Sequence, residues 1–258
     1  MSFSTTQNSD EDQPIAIRTD RQGNQEIVYL NELSEEEELA WRNLLDTVPV
    51  HELQAVQESY TYEIYPTELT ERVLIAGKSG LGKSTITATY ARNYHHLYPD
   101  RTIFIFSRVA DDPAYDDIEM TRIPLDTNLL DIEIDLETLE NSLVIFDDAD
   151  NIQNQAVSEY IYRLVGDIIT NGRKSGIHTI FCVHQLFNYR KTRNLLHEAN
   201  RLVFFNIGTA KYNIKYLTEF IGLDMCEAKR ITNIRTRWVI IAANHPSYFM
   251  TRNTLETI

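Results

Sequence analysis

The sequence of 258 residues is poor in cysteine and has no long hydrophobic run. Its two cysteines, Cys182 and Cys226, predict neither a disulfide framework nor a cysteine-rich metal cluster, and such a chain suits the reducing interior of a cell. No run approaches the roughly 18 apolar residues of a membrane span, so we expect no transmembrane segment. The first residues, MSFSTTQNSDEDQP, are polar and acidic, which is typical of neither a secretory signal nor a basic transit peptide.

Positive charge is also scarce, because 24 Lys and Arg stand against 38 Asp and Glu, for a net charge of −14. For the chain as a whole this balance argues against nucleic acid as a partner. The shortage is uneven, however: residues 1–170 hold 11 Lys and Arg against 33 acids, whereas residues 171–230 hold 10 against 4. A basic face in the C-terminal third therefore permits binding to a phosphate backbone.

The pattern along the chain predicts three segments. Residues 1–25 are polar without periodicity and are expected to be a disordered acidic tail. Residues 26–69 are expected to be an N-terminal extension with a short amphipathic helix within 33–58, which either packs on the edge of the main domain or, as the less favoured reading, binds a partner. Residues 70–258 are expected to form the main domain.

Apolar strands and helical segments alternate in the main domain, which predicts an α/β fold with a mainly parallel, doubly wound sheet flanked by helices. The C-terminal part is expected to contain two short helices and then a hairpin or edge strands. The predicted strands are 72–76, 102–106, 142–146, 177–183 and 201–206; the predicted helices are 83–96, 155–170 and a turn near 190–197, followed by helices in 211–232 and the hairpin in 236–250.

The stretch GKSGLGKST fits the phosphate-binding pattern G-x-x-x-x-G-K-[ST], with an apolar strand before it and a helix after it. Its glycines allow backbone N–H groups to surround a β-phosphate, Lys83 brings a positive charge to the β- and γ-phosphate oxygens, and the Ser84 hydroxyl can ligate Mg²⁺. The helix that begins there adds its N-terminal dipole. The motif predicts ATP with Mg²⁺, bound by Gly77, Lys78, Ser79, Gly80, Leu81, Gly82, Lys83, Ser84 and Thr85.

Two adjacent acids follow the strand in SLVIFDDAD, residues 142–150. Because successive strand side chains point to opposite sides, they cannot both face the same ligand. We assign Asp147 to the Mg²⁺ shell and Asp148 to orienting and deprotonating the attacking water. The alternative is that an acid caps the following helix, which is the less favoured reading for Asp148 and the favoured one for Asp150.

The strand IHTIFCV is followed by His184 and Gln185. The neutral amide of Gln185 suits a sensor that holds both the lytic water and a γ-phosphate oxygen, although a strand-end amide could instead bond to loop backbone. His184 is expected to point to the other side and to be structural. Cys182, inside the strand, is expected to be ordinary core.

Three arginines are candidates for a residue that acts on the γ-phosphate of a neighbouring subunit. Arg173 follows Gly172, the predicted C-cap of helix 155–170, where a cation is favourable with no function at all. In a ring of subunits the same position could supply an arginine finger, and the two readings remain open. Arg201 is the second candidate and Arg163 the third.

A basic cluster follows the strand that ends near Gln185. Arg190, Lys191 and Arg193 lie close to Tyr189 in the sequence. Cations with an adjacent aromatic suit a nucleic-acid backbone and an unstacked base. A solvated, charged helix face is the alternative.

These blocks together resemble the genome-packaging ATPases of large double-stranded DNA viruses, the poxvirus-type branch of the FtsK–HerA superfamily, and virophage packaging ATPases look similar. The resemblance covers roughly residues 70–210 and depends on the order of five blocks: GKSGLGKST; TIFIFS with DDPAYDD; LVIFDDAD; GRKSGIHTIFCVHQ; and RLVFFN.

The resemblance implies a RecA-like P-loop core that assembles as a ring, either a pentamer or a hexamer. In that family ATP hydrolysis drives double-stranded DNA into a preformed capsid, which implies a capsid vertex or a membrane protein as a further partner and a location in the virion or at an assembly site in the host cytoplasm. The resemblance further implies that the catalytic residues are Lys83, Asp148, Gln185 and Arg173, with Arg173 as the arginine finger that acts in trans.

Other classes of P-loop protein make different demands on the sequence. A regulatory GTPase needs an N-K-x-D segment and a transporter-type ATPase needs L-S-G-G-Q, and the sequence contains neither. Another DNA-translocating FtsK/HerA-like ATPase, a P-loop kinase acting on a small acceptor, and an ATP-binding scaffold without turnover remain open.

Overall fold

The computed structural model of the chain describes residues 2–7, 12–31, 60–184, 186, 193–206, 210–243 and 247–258. Three predictions lie outside these residues: the helix within 33–58, the side chain of Gln185, and the cluster of Tyr189, Arg190 and Lys191. Among the described residues, no helix combines the length and the hydropathy that crossing a membrane requires.

The described residues form two sheets and five α-helices. The strands are β1 (Ser2–Ser4), β2 (Gln13–Thr19), β3 (Gln25–Asn31), β4 (Thr61–Ile64), β5 (Arg72–Ala76), β6 (Ile103–Ser107), β7 (Thr121–Pro124), β8 (Leu143–Asp147), β9 (His178–Val183), β10 (Arg201–Phe205), β11 (Trp238–Ala242), β12 (Tyr248–Met250) and β13 (Leu255–Thr257). The helices are α1 (Lys83–Leu97), α2 (Gln155–Asn171), α3 (Arg193–Glu198), α4 (Ala210–Tyr216), which a π-helical turn Leu217–Ile221 follows, and α5 (Met225–Thr232).

The larger sheet has nine strands in the order β13-β12-β11-β10-β5-β9-β8-β6-β7. The six strands from β10 to β7 run parallel, and β11, β12 and β13 extend the sheet in antiparallel fashion. The predicted parallel strands and terminal hairpin are therefore confirmed, whereas β7 and β13 were not predicted. Because β5, β9 and β8 are neighbours, their carboxyl ends meet at one edge of the sheet.

Helices cover both faces of this sheet, as a doubly wound fold requires. Side chains of β5 alternate between the faces: Leu74 packs with α2 in one core cluster, whereas Val73 and Ile75 pack with α1 in the other. All four residues of β5 after Arg72 are buried, because parallel strands inside such a sheet have no solvent face. The predicted α/β core, a mainly parallel sheet flanked by helices, is confirmed.

The smaller sheet corrects the predicted N-terminal organisation. Its order is β1-β3-β2-β4, all antiparallel, and the β2–β3 hairpin crosses the predicted boundary between residues 25 and 26. The expected disordered tail is therefore wrong for residues 2–7 and 12–25. Short apolar runs explain the structure: Ile15, Ala16 and Val28 are buried and pack in the same core cluster as α1. The charged residues around these runs obscured them in the sequence.

Candidate nucleotide-binding site

The loop between β5 and α1 is shaped by three glycines. Gly80 and Gly82 have φ of +78° and +108°, which side chains other than glycine rarely adopt. A Cβ at Gly77 would lie 2.5 Å from the ring of Phe205. The Gly77 N–H donates to the Val183 carbonyl at 3.0 Å and so ties the loop to the end of β9. The predicted phosphate-binding stretch thus forms a tight turn that leads directly into α1.

Lys83, the first residue of α1, reaches back across this loop. Its side chain is only 7% exposed, and its Nζ donates to the Gly77 carbonyl at 3.1 Å. The same Nζ lies 3.4 Å from Asp148 Oδ1. The structure therefore brings the predicted phosphate-binding lysine and the predicted base together.

Asp147 ends β8 and lies in the sheet between Ser107 at the end of β6 and Cys182 in β9. Its side chain is buried, and the Ser107 hydroxyl donates to Oδ2 at 3.5 Å. Burial first and the neighbouring Asp148 second raise the pKa of Asp147, Lys83 opposes the shift, and the result is a pKa of about 6. A buried carboxylate whose charge is disfavoured in this way gains from a cation, and its oxygens, like the Ser84 hydroxyl, are the ligands that Mg²⁺ prefers.

Asp148 leaves the strand in an uncommon conformation. Its φ is +52°, the left-handed region that costs a non-glycine residue free energy, and such strain is concentrated at functional sites. It precedes a 3₁₀ turn, Ala149–Asn151, but its side chain makes no capping hydrogen bond there. Its side chain is 36% exposed. The capping alternative is therefore not what the structure shows for Asp148.

The capping role favoured for Asp150 is wrong. Helix α2 is capped by Asn154, whose Oδ1 accepts a hydrogen bond from the Val157 N–H at 3.2 Å. Asp150 instead faces His184: Oδ2 accepts from the His184 main-chain N–H at 2.9 Å, and Oδ1 lies 3.3 Å from Nδ1 of the ring.

His184 also departs from its prediction. Its Nε2 lies 3.6 Å from Asp148 Oδ2, so the side chain points into the acidic cluster rather than away from it. The strand ends at Val183, and the alternation of side chains that the prediction used no longer applies one residue later. The sensor role of Gln185 stays a prediction.

Cys182 is confirmed as core. Its thiol is buried beneath α1, 3.2 Å from the Thr87 hydroxyl, and burial raises its pKa. A thiol that stays protonated in this way is a poor nucleophile. The cysteine therefore supports the floor of the site and does not enter its chemistry.

Sequence reasoning missed Arg237, which precedes β11. Its Nε donates to the Leu81 carbonyl at 2.9 Å and its Nη2 to the Gly80 carbonyl at 3.4 Å. The arginine therefore holds the phosphate-binding loop from the outside. Because it lies 156 residues from Leu81 in the chain, no local pattern indicates this contact.

The three candidate finger arginines have different surroundings. Arg201 is 2% exposed and its Nε lies 2.9 Å from Glu71 Oε1, so it cannot reach a neighbouring subunit and that prediction is wrong. Arg163 is exposed on α2, 5.4 Å above the ring of Tyr160. Arg173 is exposed in the turn after Gly172, which is confirmed as the C-cap of α2. This turn lies before β9, at the edge opposite to its own phosphate-binding loop.

Comparison with known proteins gives one match in sequence and several in fold. No protein-family model matches the chain. The chain is 32% identical over 198 residues to uncharacterized protein V3 of the Sputnik virophage, a match that covers 75% of this chain and 80% of V3.

The solved structures are more distant. The genome packaging NTPase B204 from Sulfolobus turreted icosahedral virus 2, in complex with AMPPCP, is 11% identical, with a TM-score of 0.45 over 73% of this chain and 96% of B204. The N-terminal domain of zonular occludens toxin from Neisseria meningitidis is 14% identical, with a TM-score of 0.41 over 73% of this chain and 95% of that domain. We transfer no residue role from likenesses at this level.

Proposed function

The chain belongs to the family of protein V3 of the Sputnik virophage, and we propose that it is a Mg²⁺-dependent ATPase that translocates double-stranded DNA during viral genome packaging. The observation that carries the proposal is the meeting of Lys83, Asp147 and Asp148 beside a glycine loop at the carboxyl ends of β5 and β8. This arrangement provides a phosphate grip, an oxygen ligand for a metal ion and a separate carboxylate for a water molecule.

Each part of the site has a distinct task in the proposed reaction. Backbone N–H groups of the loop that follows Gly77, up to Thr85, and the N-terminal end of α1 bind the phosphates, and Lys83 brings its charge to the β- and γ-oxygens. Ser84 and Asp147 would hold Mg²⁺, which when bound neutralises charge on the phosphates. Asp148 orients a water molecule and accepts its proton as the water oxygen bonds to the γ-phosphorus and the bond to ADP breaks.

The charge distribution supports DNA as the polymer that is moved. The basic C-terminal third includes α4, on which Lys211 and Tyr212 are exposed. Lysines bind phosphates and an exposed tyrosine can contact a base or sugar, which is the combination also predicted for Tyr189 to Arg193. We propose that both segments contact the DNA.

A ring explains the position of Arg173. The residue is exposed and lies at the amino-terminal edge of the sheet, opposite to the phosphate-binding loop of its own chain. An arginine there acts on phosphate in trans or not at all. We propose a ring of five or six subunits, working at a capsid vertex or beside a membrane protein where virions are assembled in the host cytoplasm.

Subunit mixing tests the role of Arg173. Arg173→Ala subunits retain a complete phosphate-binding loop, and Lys83→Ala subunits retain a complete finger, so mixed rings should regain part of the activity that each variant lacks. Assembled mixed rings with no regain would return Arg173 to the simple role of a cation near the C-terminus of α2.

Steady-state ATP hydrolysis with and without double-stranded DNA, at low and moderate salt, tests the proposed function. Stimulation by DNA that fades as salt rises supports translocation, because each phosphate contact contributes a slope of about −0.9 in log affinity against log salt. Hydrolysis that DNA does not change contradicts the translocase. Transfer of phosphate to a small acceptor would instead support a kinase.

A Lys211→Ala variant should lose part of the stimulation and keep the basal rate, whereas the exposed Lys174→Ala serves as its matched control.

A further inference from the structure

A chain of three side chains leads from the 3₁₀ turn after β8 to the proposed base. Asp150 binds the main-chain N–H of His184 through Oδ2 and faces ring Nδ1 through Oδ1, at 2.9 and 3.3 Å. The other ring nitrogen, Nε2, lies 3.6 Å from Asp148 Oδ2. The imidazole therefore bridges two carboxylates, one largely buried and one partly exposed.

We propose that His184, anchored by Asp150, is a positioning residue that sets the orientation of the Asp148 carboxylate. The inference rests on the proposed function, in which Asp148 accepts a proton from water. Lys83 Nζ lies 3.4 Å from Oδ1 of this carboxylate and His184 Nε2 lies 3.6 Å from Oδ2, so each carboxylate oxygen faces a different side chain. Lys83 also serves the phosphates in the proposed reaction, so among the described side chains that face Asp148 the imidazole is the one without a second task there.

The contacts of Asp150 with His184 explain how the imidazole ring can orient the Asp148 carboxylate. One carboxylate, Asp150, engages both the backbone and the ring of His184, so the direction of the ring is set together with the end of β9. An imidazole that is fixed on one nitrogen presents the other nitrogen in a defined direction, which is how acid–histidine pairs orient groups in other active sites. Asp148, with its left-handed backbone and no capping bond, depends on such side-chain contacts for its orientation.

A purely structural role for His184 is separable from positioning. The hydrogen bond that fastens the end of β9 to the turn comes from the main-chain N–H of residue 184 and survives any change of this side chain except to proline. A substitution of the imidazole therefore leaves the fastening in place and removes the contact with Asp148. Changes in turnover then report on the positioning of Asp148.

Steady-state ATP hydrolysis by His184→Ala, His184→Gln and His184→Asn tests the proposal. We expect His184→Ala to lower kcat about 10- to 100-fold, as loss of an orienting partner commonly does, with KM and the affinity for a fluorescent ATP analogue within about twofold. Glutamine places its amide where Nε2 lies, near Asp148, and asparagine places its amide where Nδ1 lies. His184→Gln should therefore retain more activity than His184→Asn. The exposed His96→Gln is the matched control.

Single-turnover hydrolysis in an Asp148→Asn background gives a second readout. If His184 acts through Asp148, adding His184→Ala to Asp148→Asn causes no further loss. A kcat of His184→Ala within about twofold of wild type, or losses that multiply in the double variant, would overturn the positioning role. Absence of hydrolysis in the wild type would overturn the proposed function, and the positioning role with it, so the two failures are distinguishable.

Discussion

The two ends of the parallel sheet each carry a carboxylate, a cation and a histidine, yet they are built for different purposes. At the amino-terminal end, Glu71 and Arg201 form a buried pair 2.9 Å apart, with His178 nearby. At the carboxyl-terminal end, Asp148 and Lys83 are 3.4 Å apart, and the acid is partly exposed. The same three chemical types are therefore present at both ends. We call the buried residues Glu71, Arg201 and His178 the closed cluster, at the closed end of the sheet, and the partly exposed group around Asp148 and Lys83 the open cluster, at the open end.

The closed cluster is saturated with partners on its acidic side. Glu71 Oε2 accepts from the Tyr90 hydroxyl at 2.9 Å and from the Thr67 N–H at 3.0 Å, while Arg201 donates to the Tyr65 carbonyl at 2.7 Å. Burial lowers the pKa of His178 to about 3 and keeps the ring neutral. Groups held in this way stabilise one conformation and are inaccessible to a substrate.

The open cluster has fewer partners and more strain. Asp148 has a left-handed backbone conformation. The neighbouring Asp147 is buried, which is the main reason that its pKa is raised to about 6. Such a site is costly to the fold unless a ligand uses its charges. The two ends therefore differ in the number of partners and the exposure of their charged groups and not in residue type, which supports a structural role for the buried pair and the proposed catalytic role for the other.

The largest effect should come from Lys83→Ala at the open end. Removing the charge that faces the phosphates should lower the rate of ATP hydrolysis about 10³-fold, as loss of a charge-stabilising donor does, with a small change in the free energy of unfolding. Hydrolysis rates and thermal unfolding of this variant and of Lys174→Ala, an exposed control, check the prediction. Turnover close to wild type would mean that the loop does not bind the reacting phosphates.

Glu71→Gln should show the opposite behaviour at the closed end. It leaves the Arg201 charge buried without its acid, so the free energy of unfolding should fall by about 3 kcal/mol, while hydrolysis per folded molecule stays within about twofold. Urea unfolding measures the free energy of unfolding, and the hydrolysis rate normalised by active-site titration gives the turnover per folded molecule. The exposed Glu68→Gln is the control. A selective loss of turnover with unchanged stability would break the distinction between the two ends.

The closed end should also determine part of the pH dependence of stability. Because the folded pKa of His178 is about 3 and its ordinary value is 6.5, the folded state binds fewer protons than the unfolded chain between these values. Its contribution is therefore fully present above pH 6.5 and is lost as the pH falls, by about 3 kcal/mol at pH 4. His178→Phe, which keeps an aromatic ring, should flatten the unfolding free energy over this range. An unchanged pH profile would contradict the buried neutral ring.

Arg237→Ala should have the smallest effect, at the rim of the open end. It removes two exposed hydrogen bonds to the Gly80 and Leu81 carbonyls, worth about 1 kcal/mol, and should weaken ATP binding about fivefold. Titration with a fluorescent ATP analogue measures the change, and the exposed neighbour Arg235→Ala is the control. Equal effects of both variants would point to general electrostatics instead of a contact with the loop.

The sequence predicted the elements whose signals are local. The strand at 72–76 was placed with its observed bounds, and the glycine spacing located the loop before α1, because turn chemistry and hydrophobic runs act over a few residues. Adjacent acids at the end of a strand likewise placed Asp147 and Asp148 at the same edge as that loop.

Features that depend on distant contacts could not be predicted. Arg201 was a candidate arginine finger because a local sequence pattern cannot reveal its ion pair with Glu71. That acid lies 130 positions earlier in the chain. The contacts of Arg237 with the loop and of Asp150 with His184 could not be predicted for the same reason, because each joins residues that are distant in the chain. The β2–β3 hairpin was missed because two short apolar runs acquire a buried face only when they pack against α1.

The most direct test of the central claim is a comparison of ATP hydrolysis by the wild type and Asp148→Asn at saturating Mg²⁺, with ATP affinity measured beside it. Asparagine keeps the shape of the side chain and removes its ability to accept a proton. We predict a loss of about 10²- to 10³-fold in kcat with affinity nearly unchanged. A variant that hydrolyses ATP as fast as the wild type would contradict the assignment of Asp148 as the base and the catalytic role of the open cluster.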